Sequence, residues 1–354
     1  MAIKVDLLRE ICEVPGAPGF EKRIREVVLR EIKSLCDEVH VDNMGNVTAL
    51  VKGKHHDDPK KNKKLMIGAH MDEIGFIVTH IDDKGFVRFH TLGGFDPKTL
   101  TAQRVIIHGK KDLIGVMGSK PIHVMTPEER KKSPKTTDFF IDMGMPKKEV
   151  EKYIRVGDPI TRQRELIEMG DCVNCKSIDN RVSVFILIET LKKLKKKSPY
   201  DVYGVFTVQE EVGIRGANVS SLAIQPDLGI GLDTTIAYDV PGASDHEKIT
   251  ELGKGAGIKI MDSSTICDYR MVNFLKQTAD KHKIKWQPEV LTGGGTDTAG
   301  IQRMSAGGAI SGAISIPTRH IHQVIEMANK KDIQACIDLL TNAIKDMDKA
   351  QWDF

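Results

Sequence analysis

The chain has 354 residues, of which 40% are apolar and 29% are charged, an ordinary balance for a globular protein that buries a full core. Its 52 Lys and Arg residues against 49 Asp and Glu residues leave a net charge of +3, which is too small to indicate nucleic acid as a partner. Six cysteines are too few for a disulfide framework, and no apolar run approaches the roughly 18 residues of a membrane helix. We therefore expect a protein of the reducing cytoplasm that contacts neither nucleic acid nor membrane.

The N-terminal segment has the pattern of helices followed by short strands. After the turn Pro15–Gly19, apolar residues at helical spacing predict a helix over residues 21–38. Short strands are predicted next, over residues 39–42, 46–52 and 65–70. The last of these is nearly all apolar, which is typical of a strand that is buried on both faces.

Residues 73–168 have a different pattern, in which short alternating segments are separated by Gly and Asp turns. This predicts a small antiparallel β-barrel. From residue 169 onward, helices (180–196, 216–223, 269–283, 331–348) alternate with apolar strands (202–208, 228–232, 309–316). Such alternation indicates a layered α/β domain with a largely parallel sheet. We therefore predict one α/β domain, formed by residues 1–72 and 169–354, with a β insertion at 73–168.

Acidic and imidazole side chains stand near the ends of five predicted strands or in the turns beside them. They are His70 with Asp72, Asp179, Glu210 with Glu211, Asp233, and His322. Because the carboxyl ends of strands line the ligand crevice in open α/β sheets, we expect these side chains to converge.

Imidazole and carboxylate groups without thiolates are ligands that suit divalent metals. A two-metal site needs a bridging carboxylate and one or two terminal ligands per ion, with the ions about 3.5–4 Å apart. Two His, two Asp and one Glu supply this set and leave one Glu for proton transfer. The spacing of His70 and Asp72 puts both side chains on one face, so we expect Asp72 to accept the second imidazole N–H and fix the ligating tautomer.

Six segments support a closer assignment: GAHMDEIGF (68–76), KSIDNR (176–181), VQEEVGIRGA (208–217), GLDTTIA (231–237), GGGTDTAG (293–300) and RHIH (319–322). In this order they closely resemble the tetrahedral aminopeptidases, a family of cytoplasmic dinuclear metallopeptidases that includes deblocking and glutamyl aminopeptidases. The archaeal members look most similar, and the resemblance covers essentially the whole chain.

The resemblance implies roles for seven residues. His70 and Asp233 would bind one metal ion, Glu211 and His322 would bind the other, and Asp179 would bridge the two. Glu210 would act as general base and acid, and Asp72 would be the hydrogen-bond partner of His70. It also implies a three-layer α/β/α metallopeptidase domain in which residues 73–168 form a PDZ-like dimerisation domain. Dimers of this family assemble into a hollow dodecamer with the active sites facing inward. The metals would be zinc or cobalt, with manganese as a further alternative.

The predicted activity is removal of the N-terminal residue from short peptides, with a neutral residue such as Leu or Met preferred over an acidic one. Three alternatives stay open: an aminoacylase, a carboxypeptidase that needs a free α-carboxylate, and a non-catalytic assembly protein. A glycosidase is disfavoured because Glu210 and Glu211 are adjacent in the sequence. The two catalytic carboxylates of a glycosidase lie on either side of the bond that is cut, about 5 Å or more from each other.

His320 is close to the predicted ligand in the sequence, and alternation would place it on the same face as His322. Asp297 is predicted to cap the helix that follows it.

Overall fold

A computed structural model describes residues 3–195 and 197–353, which form one large β-sheet with its helices and one small β-barrel. The strands are β1 (Glu38–Val41), β2 (Val47–Val51), β3 (Lys64–His70), β4 (Gly75–Ile81), β5 (Val87–Leu92), β6 (Arg104–His108), β7 (Asp112–Gly118), β8 (Phe140–Asp142), β9 (Pro159–Arg162), β10 (Ile167–Met169), β11 (Cys172–Cys175), β12 (Asp201–Thr207), β13 (Leu228–Ile236), β14 (Ala256–Met261), β15 (Trp286–Val290), β16 (Ile310–Arg319) and β17 (Glu326–Asn329). The helices are α1 (Val5–Glu13), α2 (Lys22–Ile32), α3 (Pro127–Lys131), α4 (Lys147–Val150), α5 (Ile178–Leu194), α6 (Arg215–Ile224), α7 (Tyr269–Lys281), α8 (Asp297–Arg303) and α9 (Lys330–Asp346).

The large sheet is parallel at its centre and antiparallel at its flanks. Its main strand order is β1-β2-β12-β3-β13-β16-β17-β11-β10, and β14 pairs with both β16 and β15. The neighbours β12, β3, β13 and β16 all run parallel to one another. Their carboxyl ends therefore meet at one edge of the sheet, which is where the predicted site residues were expected to converge.

Helices cover both faces of this sheet, because its central strands are apolar on both sides. In β3, Leu65 and Ile67 join the core cluster that also contains buried residues of α1, α5 and α9. Between them, Met66 points to the opposite face and packs in a second cluster with Ile301 of α8. The alternation of side chains along a strand thus builds the three-layer α/β/α arrangement, as the resemblance implied.

The inserted segment forms a closed barrel with the strand order β4-β5-β8-β7-β6-β9. It has its own apolar core, which includes Phe76, Ile107, Ile141 and Ile160. The prediction of an α/β fold with an inserted β-barrel is therefore confirmed. The strand β10 pairs with β11 in the large sheet, so the barrel strands end before the predicted limit at residue 168. The division into two domains with these limits stays a prediction.

Five strands of the large sheet lie outside the predicted elements, namely β10, β11, β14, β15 and β17. Pro288 interrupts the apolar pattern of β15, and β17 has only four residues, of which the first is a glutamate. Among the described residues, none of the helices is long and apolar enough to span a lipid bilayer.

Candidate metal centre

The carboxyl ends of the parallel strands open into a cavity of about 590 Å³. His70 is the last residue of β3, and Glu210 and Glu211 come shortly after the end of β12. Asp233 lies within β13, so this strand extends beyond the predicted end. Six of the seven predicted residues line the cavity: His70, Asp179, Glu210, Glu211, Asp233 and His322.

Asp179 lies between the two imidazoles. Its Oδ1 is 3.4 Å from Nε2 of His70, and its Oδ2 is 3.5 Å from Nε2 of His322. Nε2 of His322 is also 3.4 Å from Oε2 of Glu211. Nε2 of His70 is also 3.7 Å from Oδ1 of Asp233. These separations exceed the length of ordinary hydrogen bonds. They are close to the distance of about 3.4 Å between two ligand atoms on one tetrahedral zinc, with zinc–ligand bonds of about 2.0–2.1 Å.

Two buried oxygens of this cluster support the fit to a metal. Asp179 Oδ1 and Glu211 Oε1 accept no hydrogen bond within the part of the chain that the structure describes. One atom each of His70, Asp179 and Glu211 can be chosen so that all three lie within 4.8 Å of one another, as ligands of one ion would. The donor set of imidazole and carboxylate groups suits a divalent cation.

The electrostatics of the cluster also call for a cation. Burial raises the pKa of Glu210 well above its usual range and raises the pKa of Glu211 to about 8. Burial by itself would lower the pKa of His70, but the carboxylates around it, with Glu210 first, raise that pKa well above its usual range. These shifts show that ionised carboxylates are unfavourable in this buried cluster, and a bound cation would offset their charge.

His70 is oriented by the residue that the sequence predicted, although through a different group. Its Nδ1 lies 3.1 Å from the main-chain carbonyl of Asp72 and 3.4 Å from Oδ1 of the Asp72 carboxylate. The shorter contact is a hydrogen bond in which Nδ1–H donates to the carbonyl. This leaves Nε2, which faces Asp179 and Asp233, as the nitrogen with a free lone pair.

The Asp72 carboxylate instead fixes the loop that carries the two glutamates. Its Oδ1 accepts the backbone N–H of Glu210 and its Oδ2 accepts that of Glu211, both at 3.1 Å. Glu21 accepts the N–H of Gln209, which has a left-handed φ of 56°. Asn46 accepts the N–H of residue 208. The backbone N–H groups of the four successive residues 208–211 are therefore all bound by side chains. Glu210 and Glu211 consequently face different imidazoles, His70 and His322 respectively.

Two buried charged residues beside the site were missed by the sequence analysis. Glu326 accepts the backbone N–H groups of Asp179 and His322, and Arg162 of the barrel donates to the carbonyl of His322. The only available signal was a charged residue in an otherwise apolar stretch, and this pattern alone is too common to indicate a site.

Two further expectations are corrected or decided by the structure. Asp297 does not cap the helix α8: the N-cap is Thr296, and the buried Asp297 carboxylate accepts the hydroxyl hydrogen of Thr207. Burial raises the pKa of Asp297 to about 7. His320 is exposed, and only His322 joins the cluster. Alternation does not apply here because both histidines have left-handed φ angles, 61° and 64°, beyond the end of β16.

An α/β/α sheet with an imidazole–carboxylate cluster at the carboxyl ends of its parallel strands defines the class of metal-dependent hydrolases. Comparison with known proteins specifies the family. The sequence profile of the M42 glutamyl aminopeptidase family matches residues 45–339. The chain therefore belongs to this family, whose members are metallopeptidases, and it is an aminopeptidase.

Individual relatives extend over nearly the whole chain. The lysyl aminopeptidase of Pyrococcus furiosus is 32% identical over 355 residues, which cover 97% of this chain and 98% of that protein. The structure of an aminopeptidase from Desulfurococcus kamchatkensis has a TM-score of 0.91 at 38% identity, covering 97% of this chain and 94% of the other. The TET1 peptidase of Pyrococcus horikoshii, which can assemble into a tetrahedron or a large octahedral shell, has a TM-score of 0.84 at 30% identity, with 96% and 98% covered.

Proposed function

We propose that this aminopeptidase holds two divalent metal ions and uses Glu210 as general base and acid to release the N-terminal residue of short peptides. The observation that carries the proposal is the position of Asp179, which directs one carboxylate oxygen toward each imidazole. A carboxylate with both oxygens engaged in this way is the bridging group that a two-metal site requires.

The proposed ligand sets are those that the resemblance implies, and each proposed ligand lies within 3.7 Å of a proposed partner. His70 and Asp233 hold one ion, Glu211 and His322 hold the other, and Asp179 serves both. When bound, the two ions lower the pKa of a water molecule and polarise the carbonyl of the scissile bond. Zinc or cobalt is proposed as the metal, with manganese as a further alternative, because all three accept these ligands.

Glu210 is proposed to take the proton from the attacking water and to deliver it to the leaving amine. It lines the cavity and its Oε2 lies 3.7 Å from Nε2 of His70, beside the proposed ligands. The Asp72 carboxylate accepts the backbone N–H of Glu210 and so fixes the backbone position from which this side chain extends. A free α-amino group of the substrate, held by a metal or a carboxylate, would set the cut one residue from the end of the peptide.

Replacing Glu210 by Gln tests the role of the base. We expect two metals per chain to be retained and turnover of an aminoacyl-p-nitroanilide to fall by about 10²–10⁴-fold, because the amide cannot accept the proton. Glu211→Gln is the matched variant and should lose metal as well as activity. Metal content by mass spectrometry and the rate would be measured on both proteins. Activity near the wild-type level in Glu210→Gln would rule out the proposed role.

The cavity next to the cluster is apolar at several positions, which supports a preference for neutral aliphatic N-terminal residues. Ile214, Ile236, Leu291 and Ile321 line it. Lys259 also lines it, but its ammonium is 2.9 Å from Oδ2 of Asp262 and 3.4 Å from Oε1 of Glu289. With two carboxylates next to it, Lys259 does not present an unbalanced positive charge to an acidic substrate.

A panel of aminoacyl-p-nitroanilides tests this preference. We expect kcat/KM for the Leu and Met substrates to exceed that for the Glu substrate by about 10-fold or more, since each buried methylene contributes roughly 0.8 kcal/mol of transfer free energy. The Lys substrate serves as a second charged reference. A higher kcat/KM for the Glu substrate would contradict the preference.

Self-association through the barrel is proposed as well. Four large apolar side chains on or just after β7 are exposed: Ile114, Val116, Ile122 and Val124. An exposed apolar patch of this kind is typical of a protein interface. Together with the tetrahedral assembly of the Pyrococcus horikoshii relative, it supports dimers through residues 73–168 and a dodecamer built from them. Cys12, Cys172, Cys175, Cys267 and Cys336 are free thiols, which supports a reducing compartment such as the cytoplasm.

Light scattering on the purified protein checks the assembly. We expect a particle of twelve chains, and replacement of the exposed Val124 by Asp should shift the particle toward smaller species, because the charge would have to be desolvated at the interface. A monomeric wild-type protein at micromolar concentration would contradict this proposal.

A further inference from the structure

Glu326 connects two of the proposed ligands through their backbones. It is the first residue of β17 and is buried. Its Oε1 accepts the N–H of His322 and its Oε2 accepts the N–H of Asp179, both at 2.8 Å. These two residues are far apart in the sequence, and their side chains face each other across the site. A single carboxylate thus spans the backbone segments that carry the bridging ligand and a terminal ligand.

Arg162 completes this arrangement from the barrel. It is the last residue of β9, and its buried guanidinium donates from Nη1 to the carbonyl of His322 at 3.1 Å and from Nη2 to that of Lys176 at 2.9 Å. The ring of Phe95 lies beneath it, 5.4 Å from the guanidinium carbon. Glu326 and Arg162 therefore hold the N–H and the carbonyl of the same residue, His322.

Such support matters because neither ligand has the backbone angles of a regular helix or strand. His322 has a φ of 64°, in the left-handed region that non-glycine residues rarely adopt. Asp179 has non-helical backbone angles although it lies in the first turn of α5. The hydrogen bonds from Glu326 and Arg162 thus hold irregular backbone in the orientation that directs the two side chains toward each other.

We propose that Glu326 is a positioning residue, which with Arg162 sets the separation and direction of Asp179 and His322 as metal ligands. The inference rests on the proposed two-metal function and goes beyond it, since it assigns to the barrel and to β17 a part in metal binding. Hydrogen-bond partners that orient metal ligands typically contribute about 10–100-fold to metal affinity or activity.

The variant Glu326→Gln tests the proposal with almost no change in shape. A glutamine can accept only one of the two N–H groups, and its own NH₂ then points at the other. We expect the dissociation constant of one of the two zinc ions to rise by about 10–100-fold, measured by competition with a chromogenic chelator. The visible spectrum of the cobalt-loaded protein should also change, because the ligand geometry around one ion changes.

Asp332→Asn is the matched control. Asp332 is also buried, and its two oxygens accept the backbone N–H groups of Gly253 and Gly255 at 2.7 and 2.8 Å, at a place outside the cluster. It should lower the thermal midpoint of unfolding as Glu326→Gln does, while zinc affinity and the cobalt spectrum stay as in the wild type.

Three outcomes would overturn the proposal. Wild-type zinc affinity and an unchanged cobalt spectrum in Glu326→Gln would show that Glu326 has only a structural role. Equal losses of affinity in Glu326→Gln and Asp332→Asn would show a general effect of destabilisation. A wild-type protein that binds no second ion would overturn the two-metal function and this inference together. The metal content of the wild type is therefore measured before any variant.

Discussion

Several carboxylates are buried close together at one edge of the sheet, and their mutual repulsion determines how the site is built. Asp72, Asp179, Glu210, Glu211, Asp233 and Glu326 lie in or beside one cavity. The protein divides these groups into two sets. Asp72 and Glu326 each accept hydrogen bonds from two backbone N–H groups, whereas the others face the imidazoles and would be compensated by the proposed cations.

This division explains how a flexible set of side chains becomes a defined site. The first set fixes backbones: Asp72 holds the loop with Glu210 and Glu211, and Glu326 holds the segments with Asp179 and His322. The second set supplies the proposed ligand atoms and the proposed base, Glu210. Since metal ligands must be placed within a few tenths of an ångström, the amide-bound carboxylates are as much a part of the site as the ligands.

The fold and the ligand candidates were accessible from the sequence because they depend on short-range patterns. The apolar run before His70 and the strand before Glu210 indicated buried parallel strands, and the rule that their carboxyl ends line the crevice then brought the ligands together. Glu326 and Arg162 were not accessible, because Glu326 joins His322 to Asp179, which lies 147 positions from Glu326, and Arg162 reaches His322 from the barrel. Alternation wrongly placed His320 on the same face as His322, because it holds only in strands and both residues have left-handed φ angles.

The barrel is more than an appendage of the α/β layers. Arg162 of its last strand reaches the backbone of His322, and Gly94 lines the cavity so closely that a Cβ there would be 3.4 Å from Nδ1 of His322. If the barrel also carries the subunit contacts, assembly and the metal centre share the same structural support.

The cluster around Asp179 is proposed to bind two divalent ions. The most direct test is the metal content of the purified protein after removal of all metal with a chelator and reloading with zinc. We expect two zinc ions per chain, with aminopeptidase activity lost on chelation and restored on reloading. No bound zinc, or full activity in the metal-free protein, would contradict this proposal.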